Sequence, residues 1–164
     1  MGARSSMFRE LRRKNQEISH DDYIELLKKE TRGVLSVIGD DGYPYGMPMN
    51  HFYNEEDGMI YFHCGLHGHR EDALKRNNKV SFCVYEQGVR KEGDWIYRVR
   101  SVIVFGKIEM LNDIETVSDI TTKLCYKFTQ DAAYIEKEVK NFASKTVLLR
   151  LTPEHMCGKL VTES

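Results

Sequence analysis

Between Tyr43 and Leu74 the chain places a strand, a tight turn, a second strand, a glycine-bearing loop and the start of a helix in one short stretch. The runs from about Tyr45 to Asn54 and from Met59 to Cys64 suit a pleated, half-buried surface, and Glu55-Glu56-Asp57-Gly58 between them has turn chemistry. Four of the six histidines fall in this stretch, together with Met47, Met49, Phe52, Tyr53, Met59, Tyr61 and Phe62. Polar and basic groups thus converge on an apolar ribbon. A ligand planar at one end and anionic at the other suits both parts.

The flanking sequence extends the same architecture. Ser19 and Asp22 predict a capped helix to about Glu30, with Tyr23, Ile24 and Leu27 on one face. Gly33 to Gly39 reads as a strand, and Asp40-Asp41-Gly42 turns it back on the strand that follows. Pro44 and Pro48 place that second strand at an edge or at a break in the ladder. Lys79 to Glu86 is a further strand, and Trp95 to Met110 is one long strand with Gly106 available for a bend. Asp113 and Asp131 are N-caps of two helices, reaching about Phe128 and Asn141. The pattern closes with Lys145 to Leu151, which Pro153 ends. The hairpins read as a meander of antiparallel neighbours. Six strands without long βαβ alternation predict a mostly β fold with flanking helices, a barrel or curled antiparallel sheet.

With 164 residues, the chain is expected to form a single domain, 1–164, with residues 1–18 as a basic helical extension around Phe8 to Asn15. A net charge of -1 argues against nucleic acid or an anionic membrane as partner, and no run approaches a membrane span. Cys64, Cys83, Cys125 and Cys157 form no CxxC pair, which suits reduced thiols in a cytoplasm. Met1, Gly2 and Ser6 match a loose lipidation pattern.

Chemistry is sparse by motif. Gly65 and Gly68 before a helix starting near His69, with Arg70 beside them, read either as an anion-binding loop or as an ordinary turn with a solvated arginine. The histidine spacing matches no common zinc signature, so no metal is expected. Cys64 and His63 are adjacent on a strand and face opposite ways, and GxSxG, HExxH, Walker and GxGxxG motifs are absent. Any hard chemistry therefore falls to a cofactor.

The segments GYPYGMPMNHFY, IYFHCGLHGHREDALKRNNKVSF, SVIVFGKIEML and MCGK, in this order, resemble the pyridoxamine phosphate oxidase-like flavoproteins, and most closely their nitroimidazole-resistance branch. The resemblance covers roughly Arg12 to Lys159. It implies an FMN-binding split β-barrel, usually a homodimer with flavin at the subunit interface. Pro48, Met49, Asn50 and His51 match the strand along the isoalloxazine ring, and Phe62 and His63 the segment near ribityl and ring. His69 and Arg70 match the phosphate position, while Arg100 and Ser101 match a strand approaching the pyrimidine edge. The implied activity is transfer of hydride or electrons from reduced FMN to a small planar acceptor, with nitroaromatics as one such class, NADH or NADPH as donor and His63 as catalytic candidate. The competing expectation is a non-catalytic store or sensor of a flavin or haem, with His63, His67 or His69 toward iron.

Overall fold

The computed structural model describes residues 7–65 and 67–163. The lipidation pattern at Met1, Gly2 and Ser6 lies outside them. Helix α1 (His20–Lys29) opens on the expected capping box, with Ser19 Oγ accepting from Asp22 N at 3.2 Å and Asp22 accepting from Ser19 N at 2.9 Å. At its other end, Lys127 Nζ donates to Leu27 O and Glu30 O, partners that the last carbonyls of a helix otherwise lack.

Strands β1 (Arg32–Ile38) and β2 (Pro44–Asn50) form a hairpin through Asp40–Gly42, where Asp41 and Gly42 take φ of 54° and 78°. Strands β3 (Phe52–Asn54) and β4 (Met59–Gly65) form the next hairpin, turned by Gly58 at φ 72°. Helix α2 (His69–Arg76), β5 (Lys79–Tyr85), β6 (Tyr97–Leu111), α3 (Ile114–Cys125), α4 (Ala132–Phe142) and β7 (Thr146–Glu163) follow. Asp113 and Asp131 cap α3 and α4 with their carboxylates, as their positions predict.

The sheet is antiparallel and ordered β2-β1-β5-β6-β7-β4-β3. Only His51 separates β2 from β3, yet they lie at opposite ends of this order. The sheet must therefore curl until its edges meet, leaving a split where β2 approaches β4. Its interior is filled by Leu35, Phe62, Phe82, Val102, Val104 and Leu151, all fully buried. Outside the curl, Tyr61 and Leu148 pack with Val117 and Ile120 of α3. This is the split barrel with flanking helices that the sequence resemblance implies.

Several local expectations are corrected. The run from Tyr45 to Asn54 is two strands, broken at His51, and the two hairpins are not neighbours, so the sheet is not a simple meander. β2 is an edge strand, as its prolines suggest. The final strand does not stop at Leu151 but continues through Pro153 to Glu163. Pro153 stands opposite Gly106, where the β6–β7 register shifts between Phe105 and Gly106, and a ladder already interrupted there accommodates a residue without an N–H. The basic run from Phe8 to Asn15 carries only the start of a 3-10 turn at Lys14–Gln16. Phe8 and Leu11 are its only large apolar side chains, too few for a helix stripe to dock. No helix among the described residues is long and apolar enough to cross a membrane.

Candidate functional site

The split between β2 and the end of β4 opens into a cleft of two adjoining lobes. Both are lined by Pro48, Met49, Cys64, Gly65 and Arg70. The first, of about 260 Å³, adds Tyr45, Met47, His67, Gly68 and His69, and the second, of about 340 Å³, adds Arg32, Asn50 and His63. Together they have the scale of a small-molecule site. Buried Met47 and Met49 supply a deformable floor, with Val147 and Leu149 beside them.

At one end the floor meets the start of α2. Gly68, at φ 136°, precedes the first turn, and no side chain caps it. A Cβ built on Gly65 or Gly68 would meet nothing within 4 Å apart from chain neighbours, and both glycines line the cleft. Such a helix start favours an anion. Arg70 NH1 donates to Met49 Sδ at 3.4 Å, a weak acceptor that leaves its charge uncompensated. Glu71 also lines this lobe, but Lys75 (2.7 Å) and His67 (3.3 Å) engage its carboxylate.

The other polar groups are held distinctly. His69 stacks on Tyr45 with centroids 4.3 Å apart, its Nε2 3.5 Å from Asp40 Oδ2. His63 lies on the exposed face of β4 with its ring partly desolvated in the second lobe, and that desolvation, followed by the nearby Arg70 charge, lowers its pKa from the ordinary histidine value and favours the neutral ring. Cys64 Sγ donates to Val147 O at 3.5 Å, and burial pushes its thiol pKa up. Among the described residues no group of three His, Cys, Asp or Glu is placed to hold a metal.

Pro48, Met49, Asn50, His63, His69 and Arg70 thus converge on the cleft, whereas His51, Phe62, Arg100 and Ser101 do not. His51 is 0 % exposed, and its Nε2 donates to Leu27 O at 2.8 Å. Its backbone N–H donates to Thr31 O and its carbonyl accepts from Lys127 Nζ, so main chain and side chain are both engaged away from the cleft. Phe62 points into the barrel, edge-on to Phe82 at 4.9 Å, because alternation along β4 sends it opposite to His63. Arg100 is bound to Glu86, Asp22 and Glu25 beneath α1 at 3.0–3.1 Å, contacts that raise its pKa. Ser101 neighbours Tyr85 and Lys159 in the ladder. Both belong to β6, which β1 and β5 separate from the edge at β2. Arg32 escaped the sequence reading. The register of the β1–β2 hairpin, which sets Arg32 opposite Asn50, is the signal that would have found it.

Comparison with solved structures bears on this fold. A conserved hypothetical protein, Rv2991, from Mycobacterium tuberculosis superposes with a TM-score of 0.78 at 18% identity, over 92% of this chain and 89% of that one. A candidate 5-nitroimidazole antibiotic resistance protein from Bacteroides thetaiotaomicron gives 0.73 at 22% identity, over 89% and 87%. A FAD-binding protein from Mesorhizobium loti gives 0.62 at 22% identity, over 89% and 97%. No curated protein sequence matches the chain. The family model described as pyridoxamine 5'-phosphate oxidase matches residues 19–160, from the cap of α1 into β7, and with the curled sheet and its split this establishes that the chain belongs to that family.

Proposed function

We propose that the cleft holds FMN and that the protein is an oxidoreductase acting on a small planar acceptor, with nitroaromatics as one class to test. One observation carries this: an apolar trough ends at a helix start without a side-chain cap, beside an arginine that meets no carboxylate among the described residues. FMN has a flat head and a phosphate tail, and the residues present fit both. The α2 start and Arg70 would hold the phosphate, and Pro48, Met47 and Met49 would line the ring. When bound, the flavin would supply two-electron redox chemistry between a nicotinamide donor, NADH or NADPH, and the acceptor, whose reduction also takes up a proton. The chain positions the reactants and limits water with its thioether floor. Neutral His63, exposed in the second lobe, can orient the acceptor or relay that proton. The FAD binding in the name of the Mesorhizobium loti protein supports a flavin here. A cytoplasmic homodimer completes the reading, supported by exposed Val89, Trp95 and Tyr97 grouped near the start of β6.

The test is a visible spectrum of protein mixed with FMN and desalted, followed by mass in solution and assay with NADH or NADPH and several acceptors. Flavin bands, twice the 19.1 kDa chain mass and turnover that falls in His63→Ala while FMN stays bound are expected. A Soret band after exposure to haem, or flavin retention without turnover on any acceptor, would replace the enzyme with a binding protein.

A further inference from the structure

The second lobe carries a charge that the cofactor does not account for. Arg76, Arg98, Arg100 and Arg150 each meet a carboxylate. Arg9, Arg12, Arg13, Arg32, Arg70 and Arg90 meet none among the described residues, and of these Arg32 and Arg70 line the second lobe. The lining of that lobe includes Asn50 and His63 but no Asp or Glu. Two guanidinium groups facing one concavity without a counter-charge repel each other and raise the local potential for anions. Asn50 Oδ1 accepts from Arg32 Nε at 3.2 Å, an uncharged contact across the β1–β2 pair that steadies the guanidinium without neutralising it. Arg32 lines only the second lobe, whereas Gly68 and His69 line only the first.

We propose that Arg32, steadied by Asn50, is a specificity residue that reads a carboxylate on the acceptor, so that the preferred second ligand is a planar acid. The inference rests on the flavin reading, in which the α2 start and Arg70 serve the cofactor's phosphate and leave Arg32 for a different anion. A planar guanidinium fork matches a carboxylate with two parallel N–H donors.

The probes are para-nitrobenzoate and para-nitrobenzamide, alike in size and different in charge. Calorimetric titration of the full chain, with and without FMN, should show the acid binding about tenfold tighter than the amide. Arg32→Gln should abolish that preference and leave FMN affinity unchanged, while Arg32→Lys, which keeps the charge and loses the fork, should retain part of it. Equal binding of acid and amide by the unaltered chain overturns the assignment. So does a fall in FMN affinity in Arg32→Gln, which would put Arg32 on the cofactor. If FMN does not bind yet the Arg32-dependent preference persists in its absence, the flavin reading fails and the acid subsite stands.

Discussion

At the crossing from β2 to β3, the His51 imidazole lies inside the barrel between Leu27 O and the edge of Phe82. Burial, with the Lys127 charge adding to it, pulls its pKa from 6.5 down to about 3. In the unfolded chain this ring takes a proton near 6.5, and in the native protein it stays neutral to about 3. Between these values the unfolded state holds the extra proton, so stability falls as pH is lowered. Urea unfolding should show a loss of about 2 kcal/mol from this group between about pH 7 and about pH 5. In His51→Leu that acid-side slope should largely vanish; an unchanged slope would show that His51 is not buried neutral. The family resemblance aligned His51, with Pro48, Met49 and Asn50, to the strand along the flavin ring. What it did not carry was the one-residue break that rotates His51 inward, because that break depends on the two edges of a closed sheet. His63 and Arg70 were legible, since strand alternation and a glycine-led helix start are local facts.

Among the elements, β6 and β7 carry the tightest steric demand. A Cβ on Gly106 would come within 2.1 Å of Thr152 O, a backbone atom that cannot move aside without opening the ladder. Gly106→Ala should cost about 3 kcal/mol of stability in denaturant unfolding. Gly65→Ala, where nothing lies within 4 Å, should change it by less than about 0.5 kcal/mol. Equal effects would remove the bulge from its place in the fold. The bend at Gly106 could be read from one glycine in a β-branched run, as could the caps at Ser19, Asp113 and Asp131. The length of β7 could not, because Pro153 alone signals a stop. Only the register shift against β6, where Glu154 of β7 is passed over between His155 and Pro153, makes it tolerable.

The whole molecule is a sheet whose order sends two sequence neighbours, β2 and β3, to opposite edges, and the cleft exists because of that closure. Helices, hairpins and the barrel class were within reach of the sequence; the strand order was not, since it rests on pairings between distant strands. The same closure brings Arg32 from β1, Asn50 from β2, His63 from β4 and Arg70 from α2 to one opening. In the proposed function this opening takes a phosphate-bearing flavin with its anion at the α2 start. Fluorescence titration of the unaltered chain and of Arg70→Gln with FMN and with riboflavin, which lacks the phosphate, tests it most directly. One FMN per chain is expected, with Arg70→Gln weakening FMN by about tenfold or more and leaving riboflavin affinity the same. Equal affinity of the unaltered chain for FMN and riboflavin, or an Arg70→Gln variant that binds FMN as well as its parent, would contradict the account.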